Sequence, residues 1–226
     1  VQLENDIPIK YGVKQCVGDT IGPGGIFKAL RTIPTCLEIL KDAERLCPDS
    51  LFLNYTNPMS MVTLACTRVS SMPFIGLCHS VQHTSRQLAT YAGVPYEEMV
   101  WECAGINHLS WFTRLSHNGR DLYPILRERC KDPAFLRQDP VRFELMLQLG
   151  AFPTESSGHV SEYLPYFRKR DDLIQTYCGP GSLGETAYYA KTWPQKRRER
   201  DELIRKELAG QVPIDLARSV EYASTI

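Results

Sequence analysis

Charge imbalance is the first thing this sequence lacks. Its 226 residues carry 26 basic and 26 acidic side chains, a formal net charge of zero. Without an excess of positive charge there is no electrostatic footprint for nucleic acid or for an anionic membrane surface. Long apolar runs are also missing. No stretch approaches the ~18 apolar residues of a membrane span, and VQLENDIPIK at the start does not read as a signal peptide. The eight cysteines are scattered with no C-x-x-C pair, which argues for reduced thiols in a cytoplasmic setting and against a disulfide framework. There is no internal repeat and no low-complexity segment. The single basic cluster, KRRER at 196–200, meets Asp201 and Glu202 at once and reads as a solvated helix face. No initiator Met opens the chain and no terminating signal follows EYASTI, so a piece of a longer protein is expected.

What is present is enough apolar material, 43% of residues, for a substantial core, arranged as an alternation of elements. Ile26, Leu30, Ile33, Leu37 and Leu40 recur at spacings of 4, 3, 4 and 3, which predicts a helix from Gly24 to Cys47 that Pro34 should kink or split. GDTIGPGG at 18–25 opens it with glycines, leaving free backbone N–H groups for an anion or merely satisfying turn geometry. LFLN at 51–54 and PFIGL at 73–77 read as short strands. Between them, Asn57 as N-cap and Pro58 as first residue predict a helix carrying Met61, Leu64, Ala65 and Val69. A further helix follows Cys78 and stops at Gly93. Strand, helix, strand, helix points to a parallel sheet with helices on its faces. Asn118-Gly119 could join two antiparallel strands, 121–150 reads as largely helical, 151–159 as a polar loop, and a charged helix begins near Trp193.

Both strands end in chemically capable residues, Asn54 and Asn57 after the first, Cys78 and His79 after the second. Ligands of open α/β sheets bind beyond the carboxyl ends of strands. From composition alone Cys78 is more often a packed thiol than a ligand. Paired with His108 it would make a two-ligand centre with open positions, unlike closed structural zinc. His79 and His83 lie four apart and could share a helix face as a zinc pair, but read first as a surface pair; His117 reads as an exposed turn residue, and His159 as the unassigned histidine most open to a site role. Tyr163 and Tyr166 flank Leu164-Pro165 and read first as packing residues.

Taken together, KYGVKQCVGDTIGPGGIFKALRTIP, LNYTNPM, GLCHSVQHT, CAGINHLSWF and ESSGHVSEYLPYF resemble the family-4 glycoside hydrolases, with CHSV similar to the α-galactosidase branch. The resemblance implies an α/β fold. Residues 1–103 would be the C-terminal part of a Rossmann-like NAD-binding domain with helices on both faces of a parallel sheet, and 104–226 an α+β substrate and oligomerisation domain. The family's upstream Gly-rich dinucleotide loop has no counterpart here, so this chain alone need neither bind NAD nor turn over. The implied activity is NAD- and Mn²⁺-dependent cleavage of a melibiose-like α-galactoside by oxidation at C3, deprotonation at C2, elimination and water addition. That route lies outside the two-carboxylate scheme. Cys78 and His108 correspond to the Mn²⁺ ligands, Tyr163 to the base at C2, and His79 to a residue that donates a proton or orients a hydroxyl. Asn57, Asn107 and Arg31 fall to the substrate, though Arg31 could equally meet the cofactor. Asn54, Gly24 and Gly25 fall to the nicotinamide side. A homodimer or homotetramer is expected. An α-glucosidase, a 6-phospho-glycosidase or a metal-independent 2-hydroxy-acid dehydrogenase are the alternatives.

Overall fold

The computed structural model describes residues 2–214. Two compact units divide the chain after Tyr189. The first begins with α1 (Gln2–Lys10) and α2 (Gly22–Leu46), and α2 runs through the exposed Pro34 as one helix, where a kink or split was expected. β1 (Phe52–Asn54), α3 (Met59–Val69), β2 (Phe74–Gly76) and α4 (Ser80–Ala92) follow. β1 and β2 pair in parallel, Phe52 opposite Phe74 and Asn54 opposite Gly76. The Phe52 and Phe74 rings stack at 5.0 Å, and α2 and α3 cover them through Leu40, Val62 and Cys66.

Three local expectations need correcting. Pro58, not Asn57, occupies the cap position of α3, which starts at Met59. The buried stripe of α3 is Val62 and Cys66, while Leu64 and Val69 stand 54% and 63% exposed. Ile26 and Leu30 of α2 are likewise exposed, so only the C-terminal half of that apolar stripe meets the core. For the two stripes the apolar character and period hold, but the expected face has no core partner among the described residues. Gly93 does end α4, in the left-handed conformation at φ 73°.

An antiparallel sheet follows, built from β3 (Met99–Ile106), β4 (Leu109–His117) and β5 (Arg120–Asp121). Asn118 and Gly119, both at positive φ, join β4 to β5. This is the backbone a two-residue primed turn requires. A second hairpin went unread within 101–115: Ile106 pairs with Leu109, so Asn107 and His108 form its two-residue turn, His108 at φ 60°. Then come α5 (Tyr123–Arg129), α6 (Pro133–Leu136), α7 (Pro140–Leu149) and β6 (Phe152–Pro153), with β6 pairing against β4. Leu88, Phe112, Phe143 and Phe152 close the main core, with Tyr91 at its centre against Phe135 and Phe143. Truncating a fully buried Phe of this kind costs about 3–5 kcal/mol. α8 (Ser157–Tyr163) starts where the Ser156 hydroxyl accepts from the His159 amide, and α9 (Asp171–Tyr177) lies beyond it. α10 (Tyr188–Leu208) is the charged helix, beginning five residues ahead of Trp193. Among the described residues no helix is long and apolar enough to cross a membrane.

Candidate metal centre

Three chain segments converge beyond the carboxyl end of β2. Cys78 lies in the turn between β2 and α4, His108 in the β3–β4 turn, and Glu155 between β6 and α8. One ligand atom from each lies within 4.8 Å of the others. His108 sits in left-handed backbone, a conformation that disfavours a side chain and persists only where the surroundings enforce it. The enforcing contacts are visible. Its Nδ1 meets the Tyr163 hydroxyl at 3.1 Å, its Nε2 faces Glu155 Oε2 at 3.4 Å, and its ring lies 4.7 Å from that of His159.

Behind this cluster is a layer of charge. His159 is buried and faces Asp19, Glu155 and Glu162 at 3.4, 3.6 and 3.4 Å. Burial alone would keep its imidazole neutral, but hydrogen bonds to Asp19 and Glu155 and the surrounding negative charge push its pKa well above the ordinary value. Asp19 also meets Lys28 at 2.8 Å. Glu162 accepts from three successive backbone amides, Cys16 at 2.7 Å, Val17 at 3.2 Å and Gly18 at 3.0 Å, and thereby pins the 16–20 loop to α8.

Burial pushes the Cys78 thiol above its usual range, with the Glu155 charge adding to it and the Ser80 hydroxyl opposing. Burial likewise raises Tyr163, against a hydrogen bond from Thr20 and with help from Glu162, Asp19 and Glu155. Burial lowers His108. Glu155 goes the other way: burial would raise its carboxyl, but His159, His108 and Ser80 hold it below the carboxylate range. Thiol and phenol are thus both held protonated, and a bound dication would act against that on each. A soft thiolate, an imidazole and a carboxylate oxygen make a donor set that a divalent transition metal accepts.

A cleft of about 740 Å³ opens from Cys78 and His108 along β3, lined by Trp101, Cys103 and Asn107. Both polar atoms of the Asn107 amide are buried without a hydrogen-bond partner, a vacancy that suits a polar ligand. Not every anticipated residue is drawn in. His79 stacks on Tyr55, ring centroids 4.4 Å apart, instead of meeting the cluster. Arg31 is exposed and ion-paired with Glu4 on α1. Asn57 is half-buried ahead of α3. Asn54 folds back on its own loop, accepting from the Thr56 amide at 3.0 Å. Gly24 and Gly25 pack against backbone: a Cβ on Gly24 would lie 1.9 Å from the Gly18 carbonyl oxygen. Tyr166 is exposed, which separates it from Tyr163. His117 closes β4 and meets Glu98 at 2.8 Å, so it is less exposed than a turn residue would be.

Glu155, Glu162, Asp19, Lys28 and Ser80 were not singled out from sequence. A signal was there. His159, Glu162 and Tyr163 are spaced 3 and 4 apart, which on a helix places them on one face.

The first strands and helices thus define a Rossmann-type α/β region followed by an α+β region, with a Cys/His/Glu cluster at the strand ends. Residues 1–94 match the model of the family 4 glycosyl hydrolases, and residues 103–226 match that of the family 4 glycosyl hydrolase C-terminal domain. The chain belongs to this family. It is 40% identical over 228 aligned positions to an alpha-galactosidase of Bacillus subtilis, covering 99% of this chain and 51% of that protein. The chain therefore spans about half the length of the curated relatives it matches. Among solved structures, lplD from Bacillus subtilis superposes with a TM-score of 0.72 at 30% identity, covering 91% of this chain and 52% of that one. The 6-phospho-beta glucosidase of Thermotoga maritima, solved with manganese, NAD⁺ and glucose-6-phosphate, shares the fold at a TM-score of 0.60 and 23% identity over 90% of this chain and 45% of its own.

Proposed function

We propose that this chain provides the metal- and sugar-binding part of an NAD- and Mn²⁺-dependent α-galactosidase. One observation carries the proposal: a thiol, an imidazole and a carboxylate meet within 4.8 Å, beside a half-buried tyrosine and an unpartnered amide. The name of its 40%-identical relative supports galactose as the sugar, and the manganese and NAD⁺ bound by a structural neighbour support the cofactors.

When bound, NAD⁺ supplies a reversible hydride acceptor for C3 of the sugar, and Mn²⁺ polarises the oxygens on C2 and C3. The chain's own residues do the rest. Cys78 as thiolate and His108 would hold the metal, and a reducing, cytoplasmic setting would keep the thiol free to do so. Tyr163 takes the C2 proton onto its phenolic oxygen, 3.1 Å from His108 Nδ1. With its ring proton on Nδ1, His108 would donate to that oxygen and stabilise the phenolate. Asn107 hydrogen-bonds a sugar hydroxyl with its otherwise unused amide, and Asn57 joins it from the loop between β1 and α3. Residues 1–103 belong to the cofactor side and 104–226 to the substrate side, in a homodimer or homotetramer. Incubation with an α-galactoside, NAD⁺ and Mn²⁺ in deuterated water tests the route. The galactose released should carry deuterium at C2. Release of galactose with only protium there contradicts deprotonation at C2.

A further inference from the structure

The charge balance around His159 leaves one carboxylate unaccounted for. Asp19, Glu155 and Glu162 surround it; among the described residues His159 and Lys28 face these carboxylates, and the His108 imidazole also faces Glu155. Asp19 takes Lys28, and Glu162 takes three backbone amides. Glu155 is about nine-tenths buried and shares His159 with both. A buried carboxylate without full compensation is costly, and a dication next to it would remove the deficit.

Its two oxygens are used differently. Oε1 is occupied, accepting from the Ser156 amide at 2.9 Å and facing His159 Nδ1 at 3.6 Å. Oε2 points the other way, 3.4 Å from His108 Nε2 and 2.6 Å from the Ser80 hydroxyl, which also lies 3.2 Å from Cys78 Sγ. Ser80 has one proton, donated to Glu155, so it bridges the carboxylate to the thiol across the centre of the cluster. The backbone beneath is fixed as well: the Thr84 hydroxyl donates to the Thr154 carbonyl at 2.6 Å.

We infer that Glu155 is a third protein ligand of the divalent cation, through Oε2, and that it supplies the hard oxygen that suits a Cys/His pair to Mn²⁺. This rests on the reading that Cys78 and His108 hold the metal. Three protein ligands still leave positions for water or sugar oxygens. Oxygen donors favour Mn²⁺, whereas thiolate and imidazole favour zinc and softer ions. Glu155 therefore sets metal choice as well as affinity, and Ser80 is a positioning residue for it.

Titrating MnCl₂ into the protein and following free Mn²⁺ by electron paramagnetic resonance tests this without turnover. Glu155→Gln keeps the side chain's shape and can keep the hydrogen bond accepted from the Ser156 amide, but it replaces the anionic Oε2 with an amide NH2 that neither ligates nor accepts from Ser80. It should weaken Mn²⁺ binding at least about tenfold while losing much less affinity for Zn²⁺, and Glu155→Asp should recover part of the loss. Cys78→Ser is the reference, weakening both metals. If Cys78→Ser weakens binding and Glu155→Gln does not, Glu155 is no ligand and the two-residue centre stands. If neither variant matters, or the wild-type protein takes up no Mn²⁺, the centre itself is wrong. Should Glu155→Gln fail to fold, wild-type protein labelled with ¹³C at glutamate carboxyls decides. Electron–nuclear double resonance should then detect ¹³C coupled to bound Mn²⁺, and its absence overturns the assignment.

Discussion

Gly24→Ala separates two roles for the glycines that open α2. A Cβ there would lie 1.9 Å from the Gly18 carbonyl oxygen and 2.8 Å from its carbon, so loop or helix must retreat by more than 1 Å to reach ordinary contact. Opposing this, alanine is favoured over glycine in a helix by at most about 1 kcal/mol. Overpacking against backbone costs roughly 1–3 kcal/mol, so a net loss of about 1–2 kcal/mol is expected. For a chain of this size that lowers Tm by about 2–8 °C. The retreat would also move Asp19 and Thr20, which contact His159, Lys28 and Tyr163, so Mn²⁺ affinity should fall together with stability. Thermal unfolding followed by circular dichroism, with and without MnCl₂, reads both. An unchanged or raised Tm would refute the close-packing account and leave Gly24 as an anion-binding loop residue whose loss affects NAD alone.

Three further substitutions probe the site and its support. Tyr163→Phe should cut kcat by about 10²–10⁴, the usual worth of a general base, while Tyr166→Phe leaves steady-state rates on an aryl α-galactoside unchanged. Asn107→Ala removes an amide with no protein partner, so denaturant unfolding should show no loss of stability while KM for the galactoside rises. Arg142→Met strips Asp139 of its buried ion-pair partner and should cost about 3–5 kcal/mol in urea unfolding. Adding Asp139→Asn should recover part of that, because the two positions are coupled.

Much of this architecture is legible in sequence because local rules act alone there. Gly93 ends α4 and Asn118-Gly119 turns β4 into β5, each through a backbone conformation that few residues adopt. Cys78 and His108 are legible only as members of a family-like pattern of motifs, since the 29 intervening residues hide their convergence. The second hairpin escaped notice because Asn107-His108 lacks the glycine that marks such turns, and His108 sits in left-handed backbone nonetheless. Arg31 and His79 were placed by motif neighbourhood, but Glu4 and Tyr55 engage them, contacts between α1 and α2 and between a strand end and a turn that no spacing rule encodes. Glu155 needed the β6–β4 pairing to bring residue 155 beside His108, a long-range contact written in no local pattern.

The central claim is that one divalent cation is held where Cys78 and His108 meet. Crystals of the protein soaked in MnCl₂, with anomalous diffraction recorded at the manganese edge, test this directly. A single strong peak within bonding distance of Cys78 Sγ and a His108 nitrogen is the predicted result. A manganese peak elsewhere, with the cluster empty at saturating metal, would contradict it.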